Sequence, residues 1–474
     1  MLYNSDHQGH SVFPAPGKAL LPLLLVLVLA ACRDSEPDDK PARRPVSLAF
    51  SISNRSGATR MSSVTTQKDE SFRGIAFQYL YPFSTTNVSS SSVSLDRIET
   101  QLGRYTDTDA TNYYFFDDES VDIPEETRNF LCYCTVGASA EATKFENGST
   151  LCQGLQNGST LFQGLQGSDD TAKKNVTPAV ISFSPEVIST NENDGATGQY
   201  LTETAKAKND LNRFVYPAEL FYYTNSPIKT SNESQRENYR LGWDDLLKEY
   251  KNETNGVMQS GVVSVAITKP LNYAVGRLEI GLLIGSSTLK DATTPTPKSI
   301  TLSSTAGSET FPLKGVFVTG QFVQSYDLTP TGDTEYIAYD NTISGISMGA
   351  PTDNSNGSRP KYTQTLVLQS KDNANVRFAL EFENNSGTAF NSIYGPIAAG
   401  AMFYLVGTIT PGYDAVNDYT RRAFTKDYVT SGTVTINSLK QAYPYLPDLF
   451  NPNLEVSLSL KTSWIQSTTT NVPL

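Results

Sequence analysis

Few side chains in this sequence could do covalent chemistry at neutral pH. There are two histidines, His7 and His10, and four cysteines, Cys32, Cys132, Cys134 and Cys152. Three of the cysteines are poor candidates for a metal centre or a disulfide framework. Cys132 and Cys134 are separated by one residue in "LCYC", so on a strand they share a face and are badly placed to bridge one another. Cys152 lies in "NGSTLCQGLQ" (147–156), which is repeated at once as "NGSTLFQGLQ" (157–166) with Phe162 at the equivalent position. A site that accepts phenylalanine wants an apolar filler rather than a thiolate. Three thiols without a histidine are also an incomplete zinc set. The repeat itself reads as a duplicated Gly-rich hairpin or loop. "NENDGATG" (191–198) lacks the acidic alternation of a calcium loop and is read as surface. No metal or other cofactor is expected.

Cys32 is different because of what precedes it. "ALLPLLLVLVL" (19–29) is almost purely aliphatic, with Lys18 on its amino side. It is shorter than the roughly 20 apolar residues that span a bilayer and matches the apolar part of a secretory signal. Leu29-Ala30-Ala31-Cys32 then resembles a bacterial lipobox, whose cysteine takes a lipid and becomes the new amino terminus. Residues 1–31 are therefore expected to be a lipoprotein signal peptide and Cys32 the lipidation site, with acyl chains such as palmitate holding the precursor at the outer membrane. The acidic run "DSEPDD" (34–39) is too charged to pack and reads as a solvated tether. Both histidines precede Cys32, so a chain beginning there has none, which removes His-based triads, His general bases and His metal ligands. A carboxylate pair could still support hydrolysis, but no particular pair stands out among 49 Asp and Glu. The chain is expected not to be an enzyme. A net charge of −12 without a basic patch argues against nucleic acid as a partner.

The elements that follow are mostly strands. Tyr and Phe number 25 and 22, and charged residues make up only 18%. That balance favours sheets over helices. "PVSLAFSIS" (45–53) alternates strictly, with Val46, Leu48, Phe50 and Ile52 on one face. A polar connector, "NRSGATR" (54–60), carries Arg55 and Arg60, and the folding unit is expected to start only at "SFRGIAFQYLYPF" (71–83). Strand-like runs with polar insertions continue to residue 284, with one helix expected at "WDDLLKEYKNE" (243–253). "KDATTPTPKS" (290–299) reads as a linker. A second set of strands follows, with a short helix expected near "INSLKQAY" (436–443). The expected architecture is mainly β: two β-sandwich domains, at 61–289 with insertions and at 300–474, with a few short helices.

Taken together, "ATRMSS", "FRGI" with "LYPF", "YPAELFYYTNSPIKTS", "KGVFVTGQ" and "DYVTSGTVTINSLKQAYPYLPDLFNPNLEVSLSLKTSW" resemble fimbrillin-like subunits of type V pili. These bacterial lipoproteins build adhesive surface filaments. The resemblance implies transthyretin-like sandwiches and a route from lipid-anchored precursor to extracellular fimbrium. It also implies donor-strand exchange: an Arg-specific protease removes the first strand, and a neighbouring subunit supplies its replacement. Under it, residues 32–60 are tether and propeptide, and Val46 to Ser53 are the strand to be displaced. Arg60 is the cleavage site, with Arg55 as the alternative. The implied partners are other fimbrial subunits, the maturation protease and the outer membrane.

Burying Val46, Leu48, Phe50 and Ile52 should contribute about 6–12 kcal/mol, at about 1.5–3 kcal/mol each. That rivals the whole stability of a domain, about 5–15 kcal/mol. Beyond Trp464 the tail is mostly Ser, Thr and Asn and contains Pro473, a weak donor strand. This points to a tip subunit that accepts a strand without giving one. The alternatives are a stalk subunit, or a surface glycan-binding lipoprotein that uses exposed aromatics and keeps its first strand.

Overall fold

The computed structural model describes residues 43–51, 75–136, 176–188, 213–231, 263–348, 362–410 and 422–464, apart from short breaks. All of these belong to one compact unit, Arg43–Leu474. The structure is mainly β, and no α-helix occurs among the described residues. Helical geometry is limited to short 3-10 turns such as Pro178–Val180.

The first half contains β1 (Arg43–Ser51), β2 (Ile75–Phe83), β3 (Ile98–Gln101), β4 (Tyr105–Asp107), β5 (Tyr113–Phe116) and β6 (Val121–Pro124). It continues with β7 (Asn129–Val136), β8 (Ser182–Phe183), β9 (Phe214–Val215), β10 (Phe221–Ser231), β11 (Val263–Ile267) and β12 (Asn272–Tyr273). Ten of these strands form one sheet along the path β3-β2-β7-β10-β11-β1-β5-β4, with β12 on β10 and β6 on β1. The long strand β10 turns the sheet. Its residues Phe221–Pro227 pair with β7, and Ile228–Ser231 pair with β11. Pro227 stands at the changeover, where a missing N–H is tolerated because the ladder is changing partner. Side chains from both parts meet in one core that includes Tyr81, Phe130, Tyr133, Phe221, Val121, Ile123, Val265 and Ile267.

The second half contains β13 (Gly276–Ile284), β14 (Thr288–Lys290), β15 (Ser299–Thr301), β16 (Phe311–Gln321), β17 (Gln324–Ser325) and β18 (Tyr336–Asp340). After these come β19 (Ser347–Met348), β20 (Thr365–Val367), β21 (Val376–Glu383), β22 (Phe390–Ser392) and β23 (Gly395–Ile397). The last are β24 (Met402–Thr410), β25 (Val429–Ile436), β26 (Leu458–Lys461) and β27 (Ser463–Trp464). A seven-stranded sheet runs β26-β24-β21-β16-β18-β9, with β19 on β16, and a four-stranded sheet runs β20-β13-β25-β27. Alternate residues of the larger sheet (Val316, Val318, Phe378, Leu380, Phe403, Leu405) share a core with Leu278, Ile280, Val434 and Ile436 of the smaller one. This is a sandwich, with the period-two pattern delivering one face of each strand inward.

Three local expectations are corrected. The strand 276–284, assigned from sequence to the first domain, runs parallel to β25 over its whole length and belongs to the second sandwich. Its run "LEIGLLI" is apolar enough to suit either core, so only pairing decides. Residues 290–299 are not a free linker, because Lys290 and Ser299 pair across the β14–β15 hairpin. The buried carboxylate of Asp291 accepts backbone N–H bonds from Thr293, Lys298 and Asn391 and organises that turn. No helix forms near 436–443. The N–H of Leu439 donates to the Lys290 carbonyl, and Tyr443 exchanges backbone bonds with Tyr404, so the segment is spent on neighbouring strands. The helix expected at 243–253 lies outside the described residues.

Candidate functional site

The site nominated from sequence is the first strand. Its backbone is β1, and Val46, Leu48 and Phe50 occupy alternate positions along it. Cys32, Ile52, Arg55 and Arg60 lie outside the described residues, as does Cys152.

β1 is not at an edge. On one side it runs parallel to β11, with Val46 opposite Val263 and Ala49 opposite Ala266. On the other side it meets two different strands, both antiparallel. Residues Arg43–Val46 pair with β6, and Ala49–Ser51 pair with β5. The neighbour in sequence, β2, pairs instead with β3 and β7. Among the described residues, no hairpin therefore ties β1 to β2. Its nearest paired residue in sequence, among the described strands, is Tyr113, opposite Ser51 and 62 residues away. Parallel pairing of β1 with β11 needs a long crossover in any case. What holds β1, among the described residues, is the slot between β11 and the pair β5 and β6.

The walls of the slot are apolar where side chains are described. Val265 and Ile267 of β11 are fully buried, and Val121 and Ile123 of β6 are nearly so. An empty slot would expose these residues together with the unpaired backbone groups of β11, β5 and β6, a combination that demands a replacement strand.

Cys132 and Cys134 are buried and unbridged on β7, next to this core. Burial pushes both thiols well above their ordinary range, and for Cys132 the neighbouring Cys134 adds to the effect. They stay protonated and pack as small apolar groups. Among the described residues, no group of three or more His, Cys, Asp or Glu side chains is arranged to hold a metal ion.

Two polar features escaped sequence reasoning. Glu381 is buried on the outer face of the seven-stranded sheet, where the hydroxyls of Tyr339 and Tyr404 donate to it at 2.7 and 2.8 Å. Desolvation raises its pKa, only partly opposed by those bonds and by Lys314. Tyr443, Leu446 and Leu449 cover this face, with Phe317 stacked on Tyr339 at 4.0 Å beneath them. The covering segment is fastened by Arg377, whose guanidinium donates to the carbonyls of Leu449, Asn451 and Pro452. The second feature is Lys426, which reaches the carbonyl of Asp327 and sits over the ring of Tyr223 at 5.1 Å. Burial lowers its pKa to about 8, against the opposing pull of Asp327. The hydroxyl of Tyr133 in the first core also donates to the carbonyl of Tyr326. These contacts tie the loops of the second sandwich to the first core. Alternation in "VRFALEFE" could have flagged Glu381 as sharing a face with Ala379, but nothing local shows what covers that face.

No family model matches the chain, and no curated protein matches it. Similarity is found to solved structures. A protein from Bacteroides eggerthii provisionally assigned to cell adhesion is 10% identical, covering 89% of this chain and 96% of that one, at a TM-score of 0.36. A protein from Parabacteroides distasonis with the same provisional assignment is 12% identical, with the same coverages and TM-score. The C-terminally truncated tip fimbrial protein Mfa3 from Porphyromonas gingivalis is 8% identical, covering 89% and 99% of the two chains, at a TM-score of 0.31. The chain is thus similar, at low identity, to solved proteins assigned to cell adhesion and to fimbriae.

Proposed function

We propose that this chain is a structural and adhesive subunit of a bacterial surface fimbrium, and not an enzyme. In this reading the precursor is exported as a lipoprotein anchored through Cys32 to the outer membrane. An Arg-specific protease then cuts after Arg60, or at Arg55, and β1 leaves with the propeptide. A strand from another subunit takes its place. The observation that carries the reading is the position of β1. It is an interior strand, the first of the described strands, not paired with β2, the next described one, and followed in sequence by an arginine-bearing connector. Such a strand can be cut free without breaking any local turn, and its loss opens an apolar slot.

A tip role is favoured over a stalk role by the carboxyl-terminal strands. β26 and β27 are already paired inside the chain's own two sheets, so donating them would dismantle the second sandwich. A glycan-binding lipoprotein that keeps its first strand has no use for a cleavable connector. The proposed domain order is a signal peptide at 1–31, a tether and first strand at 32–60, and two sandwiches, the second beginning with β13.

Mass spectrometry of the amino terminus of the protein in surface filaments tests the proposal. Filament-bound protein beginning at Met61 or Ser56 supports it. Protein that retains residues 43–51 in filaments, or is never found in them, overturns it. Cys32→Ser is expected to abolish lipid labelling and membrane retention, and Arg60→Ala to shift or block maturation.

A further inference from the structure

The slot has an asymmetry that strand removal alone does not capture. Going outward from the centre of the sheet, the order is β10-β11-β1-β5-β4. Among the described strands, β5 is bonded to β1 and β4, and β4 to β5 alone. β1 is therefore the bridge that joins the β4–β5 hairpin to the rest of the sheet. β6 also takes its ladder bonds from β1, but its situation differs. Val121 and Ile123 are packed in the first core, and the turn after β6 is fixed by the N–H of Thr127 on the Pro124 carbonyl and of Arg128 on the Phe83 carbonyl.

We infer that the β4–β5 hairpin is a conditional element, ordered only while its slot holds a strand, so that emptying the slot releases it and refilling the slot re-forms it. The inference rests on the proposed departure of β1 and adds what that departure does to the receiving subunit. A two-stranded hairpin detached from its sheet is marginal in water. The hairpin bonds between Tyr105–Asp107 and Phe116–Tyr114 cannot hold it in place once the bridge has gone. Regions that open together in this way exchange their amides as one cooperative unit.

The geometry also restricts the replacement. To reproduce the ladders that β1 makes, an incoming strand runs parallel to β11 and presents its other edge antiparallel to β6 and then to β5. The paired strands β4 and β5 are then a feature of the filled subunit, before cleavage or after assembly, and are released in the empty intermediate.

Native-state hydrogen exchange on the full, uncut chain tests the coupling directly. Amides of β4 and β5 should be no better protected than those of β1, whereas β2, β7 and β10 should be protected further. Protection at 113–116 exceeding that at 46–49 by about tenfold or more would overturn the inference, because β5 would then outlast its bridge. As a second measurement, Leu48→Pro in the full chain removes one backbone N–H in the middle of β1, opposite Val265 of β11. Loss of protection at both 43–51 and 105–116, with β7 retained, supports the coupling; loss at 43–51 alone overturns it. If the variant does not fold, the ordering in the unaltered chain still decides. Adding a peptide of sequence RRPVSLAFS to the variant separates the two ideas. Restored protection at 105–116 supports both, whereas a peptide that never binds counts against strand exchange and leaves the coupling result standing.

Discussion

The first strand of the described chain, β1, and the last but one, β26, are both parallel to a neighbour, yet they sit in their sheets in opposite ways. β26 ends the seven-stranded sheet on β24, and β27 then crosses to β25 in the facing sheet. Leu458 and Leu460 are buried in the second core between those two layers. The carboxyl-terminal segment is thus fastened to both faces of one sandwich. β1 instead lies inside its sheet between β11 and the pair β5 and β6, and is joined to β2 by a long polar connector. Losing an edge strand trims a sheet, whereas losing an interior strand divides it. A strand can therefore be well embedded and still be the removable one, provided that its hold is the slot alone.

The largest effect expected is the removal of β1. Stripping residues 1–60 should cost the first half about 6–12 kcal/mol of apolar burial, most of a domain's usual about 5–15 kcal/mol. Amide protection at β16 and β21 should persist while it falls across β11. A uniform loss in both halves would erase the comparison.

At the other end, Leu460→Ala deletes a fully buried side chain and should destabilise the second sandwich by about 2–5 kcal/mol. Chemical denaturation followed by Trp464 fluorescence reads this, and a shift confined to the first half would refute the assignment of β26. Gly407→Ala is a smaller perturbation, on β24, the strand that β26 pairs with. A Cβ there would lie 2.9 Å from Cβ of Leu458 and collide with the ring of Phe378. Overpacking of this kind costs about 1–3 kcal/mol, and the denaturation midpoint should fall without change in the protection of β1.

The smallest effect concerns Glu381. Its folded pKa is raised above the ordinary 4.5, chiefly by burial. The unfolded chain therefore releases this proton first, and the stability tied to the protonated form is present below about 4.5 and lost as pH rises through the folded value. Glu381→Gln, which cannot ionise, should flatten that decline relative to the unaltered protein, measured as urea midpoints at several pH values. Equal slopes in both proteins would show that the carboxyl titrates normally.

Much of this molecule is legible in the sequence because strands announce themselves locally. The alternation from Val46 to Ile52, the run "NFLCYCTV" that forms β7 and "VRFALEFE" that forms β21 were all readable. The substitution of Cys152 by Phe162 within a tandem repeat likewise warned that cysteine serves here as a filler, and Cys132 and Cys134 are buried, unbridged thiols. The misreadings share one cause. β13 and the turn at 439–442 look locally like something else because their hydrogen bonds go to residues far away in sequence, and the turn over 290–299 is a local hairpin that is further fixed by distant Asn391 bonding to Asp291 and Ala292.

The sequence by itself determined the β character, the apolar face of the first strand and the absence of histidine chemistry after Cys32, since residue type and period two are properties of a few adjacent residues. Only the tertiary structure decided that β1 lies between β11 and two separate strands, that β4 and β5 reach the sheet through it, and that Glu381 is buried beneath Tyr443, Leu446 and Leu449. Pairing partner, strand direction and the covering of a face are settled by the burial of complementary surfaces tens to hundreds of residues apart, and no local pattern carries that information.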